Sequence, residues 1–420
     1  MKILSISQSD LDGGAARAAH RVASEMIDMD VDLKMRVMRK LGKDDWVLGP
    51  SNPFQSFVAR LLPRLDLNAK QGAGVNPRYS WSLNRFPNPL LNSDFVNSFD
   101  AIHLNWVGRN MLPPAWVRNF SKPVVWTLHD SWAFTGGCHV PSGCRGFTQR
   151  CGSCPQLTRN SAVDISNKVW SKKAAAYADA PLHFVAPSQW MADEAGASSL
   201  LIGFPIAVIP NGLDTGVFAP YDRHRARDEL GLPQDKRIIL FGSMYADTDS
   251  NKGMDLLAGA LDHLVRNDAD FARKNLLVVT GTDNPSLSGM FAVPTVSLGM
   301  ITDEIRLARI YAAADLTVVP SRSESFGQVA SESLSCGTPV VAFNTTGLKD
   351  VIGHMETGYL ANDFQTAELA NGIRLLAGNE EIRRTMSLAA RERAVERFDI
   401  RVTTGMYLEL FERLCNLQHG

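Results

Sequence analysis

The chain has 420 residues, 45% of them apolar and 21% charged, with a net charge of −1. That length is enough for two ordinary domains with full cores, and the mixture excludes a disordered or low-complexity chain. No apolar run is long enough to cross a bilayer, and the basic residues lack the interleaved aromatics of a nucleic-acid reader.

The charge is uneven. Residues 1–205 carry 22 Lys and Arg against 16 Asp and Glu, whereas residues 206–420 carry 21 against 28. A basic first half suits an anionic partner, such as a phosphorylated lipid carrier or a membrane surface; an ordinary surface imbalance between two domains explains it equally well.

The opening residues, Met1 to Ser7, read as a buried strand and not as a leader peptide. A cytoplasmic protein follows from that reading. Gln8 to Arg17, with Gly13 and Gly14, is a loop entering a helix from Ala16 to about Met26. This is the first strand-to-helix turn of a doubly wound domain, where ligands commonly bind. Residues 45–98 carry few regular signals. Pro53 to Leu65 reads as a short amphipathic helix bearing Phe54 and Phe57, lying either on a membrane or on its own domain. The α/β alternation returns at Ala101–Trp106 and at Pro123–Leu128, which ends in His129. A histidine at the carboxyl end of such a strand faces the ligand crevice.

Cys138, Cys144, Cys151 and Cys154 fall within 17 residues, and the last two form C-x2-C. In a cytoplasmic protein that density points to a structural zinc site more than to disulfides, with reduced thiols as the alternative. A basic helix (Asn167 to Tyr177), a strand (Leu182–Ala186) and a helix (Gln189 to Ala195) follow. Pro210-Asn211-Gly212 then marks a loop, and a domain boundary is expected near 205–215.

The second half restarts the alternation with a strand at Arg237–Ser243, and Lys252-Gly253 opens the next helix. Strands follow at Leu276–Gly281 and Thr295–Leu298, then a helix at Asp303–Ala313. Leu316–Val319 is a buried strand leading into Pro320 to Glu332. There Ser325 and Gln328 have the spacing of a capping box, and Gly337 with Pro339 stops the helix. A strand, a short loop and a helix start make a phosphate site: the first N–H groups have no intrahelical partner, and the dipole favours an anion. Glu324 precedes the helix, and Glu332 lies about 12 Å further along it. Glu380 to Leu417 is charged and strongly helical.

Glu324-x7-Glu332, followed by Ser-Leu-Ser-Cys-Gly-Thr-Pro-Val-Val-Ala-Phe, resembles the donor-site signature of family 4 retaining glycosyltransferases, which have the GT-B fold. The run from Trp132 to His139 and the Cys-Gly-x-Cys-Pro ending resemble a subgroup from surface-polysaccharide clusters. The resemblance implies an α/β protein of two doubly wound Rossmann-like domains facing across a cleft. Residues 1–207, with the cysteine-rich insertion 138–154, would bind the acceptor. Residues 208–395 would bind the nucleotide sugar, and 396–420 would form a helix returning to the first domain.

The activity implied is transfer of a hexosyl group, with retention, from a UDP- or GDP-sugar to a saccharide or lipid-linked saccharide in polysaccharide or glycoconjugate biosynthesis. The enzyme would work in the cytoplasm or peripherally at the inner face of the membrane. By the same resemblance, Glu324 and His129 orient the sugar and Lys252 meets the diphosphate. Gly13, Gly14, Gly242, Ser243, Ser325, Phe326, Gly327 and Gln328 line the donor, and Glu332 binds the ribose. The family often has Arg where Ser243 stands, so Lys252 carries more of the phosphate charge. No cofactor is implied for catalysis. A sugar-nucleotide epimerase, a phosphorylase and a non-catalytic scaffold are the rival readings.

Overall fold

The computed structural model describes residues 1–417 apart from 160, 245–248, 283, 285–288 and 363. The chain divides into two compact units: Met1–Pro210 together with Thr403–Gly420, and Asn211–Val402.

The first unit is built on β1 (Lys2–Ser9), β2 (Asp32–Arg39), β3 (Val47–Leu48), β4 (Ala101–Leu104), β5 (Val124–Thr127), β6 (Leu182–Ala186) and β7 (Ile206–Val208). These parallel strands lie in the order β3-β2-β1-β4-β5-β6-β7. Ile3 pairs with Leu33 on one side and Ala101 on the other. From Ile3 to Ser9 the strand β1 is buried without alternation, as a sheet covered on both faces requires. Ile6, Ile102, Leu104, Val124, Trp126 and Phe184 belong to one core.

Strand order reverses between β1 and β4. Their crossovers leave on opposite sides of the sheet and open a crevice beyond the strands' carboxyl ends. Helix α1 (Gly14–Asp28) buries Ala16, Ala19, Val22, Ala23 and Met26 along one face. Helix α2 runs from Pro53 to Gly72, well past the expected end at Leu65, and carries Pro63 inside it. Asn52 caps it, its side chain accepting from Gln55 N. Val58 and Leu62 are buried, whereas Phe54 is 64% exposed and Phe57 59%, so only part of the apolar face packs on the domain. In the last helix (Ile400–Asn416), Tyr407 lies with its hydroxyl 2.8 Å from Thr127 Oγ1, and the Tyr407 and Phe411 rings pack against His103.

The second unit contains β8 (Arg237–Gly242), β9 (Asn275–Thr280), β10 (Thr295–Ser297), β11 (Leu316–Val319), β12 (Val340–Phe343) and β13 (Gly358–Ala361). Again all pairs are parallel, in the order β10-β9-β8-β11-β12-β13. The reversal here falls between β8 and β11, so the segments after Gly242 and Val319 share one crevice. At the opposite end, the enclosed Asp315 accepts from Ile238 N at 2.7 Å and from Arg227 at 2.8 Å, tying the starts of β8 and β11 together. The two long C-terminal helices, Glu380–Phe398 and Ile400–Asn416, are separated at Asp399. Among the described residues no helix is long and apolar enough to cross a membrane.

Candidate functional site

In the second unit, the loop after β11 and the turn before helix Met254–Asn267 are laced together. Arg322 N donates to Asn251 O at 2.7 Å, and Asn251 Nδ2 donates to Ser323 O at 2.7 Å. The Arg322 guanidinium makes two bonds to Asp255, at 2.9 and 2.6 Å. This bracing brings Lys252 Nζ to 2.9 Å from Glu324 Oε1. The Glu324 carboxylate is the main reason the Lys252 pKa is raised; burial opposes it. Two residues that the sequence separates by 72 positions therefore form one ion pair at the strand-order reversal.

Glu324 is held from both backbone sides. Its N–H donates to Thr346 Oγ1 at 3.0 Å, and its carbonyl accepts from Gly347 N at 2.9 Å. Sequence reading missed Thr346 and assigned Gly347 no site role. A Cβ at Gly347 would stand 2.6 Å from Ser325 O, so only glycine lets this loop close.

The expected Ser325 cap is corrected. Helix Gln328–Ser335 is capped by Gly327, at φ 105°, with no side-chain cap bond. The chain needs a left-handed residue to swing into the helix, and Ala330 N and Ser331 N both bond Gly327 O. Phe326 is buried and stacks edge-on against Phe398 at 5.4 Å, so its side chain serves the core. Its backbone, with that of Gly327 and Gln328, forms the approach to the helix start. Glu332 is buried in the helix, with Oε2 accepting from Tyr311 at 3.0 Å. The sequence marked Glu332 but gave no sign of its tyrosine partner, because that contact depends on how two helices pack.

Gly242 ends β8, where a Cβ would meet Thr280 Oγ1 at 3.0 Å, and Ser243 N donates to Thr280 O at 3.1 Å. A Cβ at Gly281, φ 90°, would stand 2.3 Å from Ser243 O. Gly281 thus sets the path of the Ser243 loop, a role with no sequence signature.

In the first unit, Gly13 caps α1 at φ 92°, and Gly14 is the first helical residue. No atom lies within 4 Å of a Cβ built at Gly13. The loop is anchored by the enclosed Asp10, which accepts from Leu11 N, Leu41 N and Gly42 N at 2.8–3.0 Å. His129 follows β5, and its Nε2 lies 3.0 Å from Asn105 Oδ1. Asn105 in turn donates to Ser5 Oγ at 3.1 Å, which assigns Nε2 as the protonated nitrogen of His129. Burial lowers the His129 pKa to about 4, so the ring is neutral at pH 7 and donates a hydrogen bond without carrying charge.

Beside it, Asp130 accepts from Trp106 Nε1 at 2.5 Å, His139 Nδ1 at 2.5 Å and Trp132 N at 2.7 Å. Burial alone would raise the Asp130 pKa, but His139 and these donors outweigh it and the carboxylate stays ionised. Neither Asp130 nor His139 was assigned a role from sequence.

Cys138, Cys144, Cys151 and Cys154 line one small cavity, and all are free thiols. Cys144 Sγ accepts from Gly146 N at 3.4 Å. Burial raises the thiol pKa to about 12 at Cys138 and about 11 at Cys151 and Cys154. Among the described residues no group of three or more His, Cys, Asp or Glu is placed to hold one metal ion.

The model for "Glycosyltransferase Family 4" matches residues 12–217, and that for "Glycosyl transferases group 1" matches 222–393. A sucrose-phosphate synthase from Thermosynechococcus elongatus superposes with TM-score 0.71 at 18% identity, covering 99% of each chain. The Anabaena protein HepE in complex with UDP-glucose gives 0.67 at 18%, covering 99% of this chain and 100% of that one. The fold is therefore GT-B, the architecture of a large class of glycosyltransferases.

Among curated sequences, a D-inositol 3-phosphate glycosyltransferase from Saccharomonospora viridis is 34% identical over 49% of each chain. One from Nocardia farcinica is 31% identical over 64% of this chain and 59% of its own. The chain thus spans about half the length of the curated relatives it matches. With the two complementary family models, these findings place the chain in glycosyltransferase family 4.

Proposed function

We propose that the protein is a retaining hexosyltransferase that moves a sugar from a UDP- or GDP-sugar to a saccharide or lipid-linked saccharide in polysaccharide or glycoconjugate biosynthesis. The observation that carries the reading is the Lys252–Glu324 pair beside the start of helix Gln328–Ser335. A departing diphosphate needs positive charge already in place, and an ammonium with backbone N–H groups at a helix start supplies it without reorganisation. Once the diphosphate takes Lys252, the Glu324 carboxylate is released towards the sugar. Glu332, steadied by Tyr311, would take the ribose hydroxyls. His129, whose Nε2–H is held by Asn105, would orient the sugar through the position of its ring, and Gly13 and Gly14 would leave room for the donor. No cofactor is required by this chemistry. We place the enzyme in the cytoplasm, either free or peripherally at the inner face of the membrane, with no nucleic-acid partner.

A thermal-shift panel of UDP-, GDP- and ADP-sugars tests the donor, and NMR of the product formed with candidate acceptors, inositol 3-phosphate included, tests the stereochemistry. Stabilisation by UDP- or GDP-sugars and a product with the donor's anomeric configuration are expected. Inversion, or a sugar altered with no acceptor present, would refute the reading; no shift with any nucleotide would indicate a scaffold.

For the cysteine cavity we propose structural zinc, supported by the four thiols that line one cavity. Because they do not form a closed ligand set as they stand, binding requires the thiols to turn to about 2.3 Å from one ion. Emission analysis of protein purified without chelator should find close to one zinc per chain; a metal-free, fully folded protein would eliminate the site.

A further inference from the structure

The first unit holds a cavity of about 920 Å³ whose lining carries five cationic side chains and no carboxylate. Arg36, Arg39 and Lys40 come from β2 and the turn after it, Arg60 from α2, and Arg109 from the loop after β4. Gln8, near the end of β1, borders it too, which puts the cavity at the carboxyl edge of the sheet where α/β proteins bind ligands.

Of these five, only Arg39 has a carboxylate partner among the described residues, Asp12 at 2.7 Å. Arg36 donates to Gly49 O at 3.2 Å and sits over the Phe95 ring, while its buried Nε has no hydrogen-bond partner. Lys40 and Arg60 reach only backbone carbonyls, those of Asp44 and Ser56. Arg109 is held by its backbone: φ is 53°, with its N–H bonded to Ser82 Oγ at 3.0 Å. The next residue, Asn110, is also left-handed and is fixed to Asn84 and to Leu62 O. Left-handed non-glycine residues cost free energy, and here buried hydrogen bonds enforce them. The backbone at Arg109 is thereby fixed, and its guanidinium, over the Trp106 ring, borders a space already crowded with positive charge. Five like charges with one paired carboxylate repel, and a bound anion lowers that repulsion. The volume is that of a small-molecule site, and guanidinium forks match phosphate oxygens.

We propose that this cavity binds the phosphate or diphosphate group of the acceptor, with Arg36 and Arg109 as its principal ligands. That the phosphate belongs to the acceptor rests on the transferase reading above; that an anion binds here does not. The source is either a free phosphoester or a lipid headgroup.

The test is a calorimetric titration of the full chain, with UDP present to occupy the nucleotide site, using inorganic pyrophosphate as the probe. Arg36→Gln and the exposed Arg109→Gln are each expected to weaken pyrophosphate binding by about tenfold or more, as loss of a charge-assisted bond implies. UDP affinity, measured on the same preparations, should stay within about twofold, because neither side chain lies in the nucleotide-binding unit. Co-sedimentation with phosphatidylglycerol vesicles, lost in both variants, would identify a lipid headgroup. Pyrophosphate binding without co-sedimentation would identify a free phosphoester. No pyrophosphate binding, or equal binding in wild type and both variants, would overturn the proposal. Failure of UDP to bind would instead strike the donor assignment and leave the pyrophosphate result readable.

Discussion

Replacing Glu324 with Ala should lower the transfer rate by about 10²–10³ while leaving nucleotide binding intact or tighter. In the free protein Lys252 is engaged by Glu324 at 2.9 Å, so an incoming diphosphate must compete with that carboxylate for the ammonium. Removing the carboxylate removes the competitor. The same substitution takes away the anion that would face the positive charge developing on the sugar. Loss of one preorganised electrostatic partner typically costs about 10²–10³ in kcat. Two measurements on one variant are therefore expected to separate: kcat falls by that factor, while affinity for UDP holds or rises. The fold should survive, because Glu324 is tied to Thr346 and Gly347 through its backbone and its side chain makes only the one pair among the described residues. Circular dichroism melting checks that point. Activity within a few-fold of wild type would remove Glu324 from the mechanism. A large loss of UDP affinity would mean that the pair does not act by competition.

Much of this site could be read from the sequence because its parts are local. A β-branched run, a glycine before a helix and two glutamates at fixed spacing lie within one short stretch, from Leu316 to Glu332. Lys252 was found for the same reason, beside its glycine at a helix start. What escaped was what depends on packing between distant segments. Tyr311 reaches Glu332 only because two helices lie side by side. Asp10 receives N–H groups from residues more than 30 positions away. Gly281 matters through its closeness to Ser243. The cap was expected at Ser325 and lies at Gly327, because a side-chain cap and a left-handed glycine both suit the same run of residues, and only the backbone path decides between them. Strand β2 was passed over because its burial is interrupted by half-exposed Lys34 and Arg36, so no uniform apolar run announces it. The cationic cavity depends on that strand, and it was legible only as an excess of basic residues in the first half.

Gly253→Ala should damage the second unit more than its size suggests. Gly253 sits at φ 68°, ending the turn Ser250–Lys252 and beginning helix Met254–Asn267. A Cβ there would lie 1.9 Å from Pro320 O and 2.7 Å from Pro320 C. Both are backbone atoms at the exit of β11, and a backbone cannot rotate out of the way as a side chain can. The left-handed conformation alone costs an alanine about 1–2 kcal/mol. The overlap must then be relieved by moving the Lys252 turn away from the loop that carries Glu324, breaking the Asn251 bonds to Arg322 and Ser323. A total near 3–5 kcal/mol follows, in the range of the most damaging single substitutions. For a unit of this size that lowers the melting temperature by about 10 °C. Because the turn moves as a whole, Lys252 should withdraw from the diphosphate, and UDP affinity should fall with stability. Gly13→Ala supplies the contrast: its φ of 92° imposes strain, but nothing lies within 4 Å of the new Cβ. Its cost should be confined to conformational strain of about 1–2 kcal/mol. Equal melting temperatures for the two variants would show that the contact with Pro320 does not govern the donor loop.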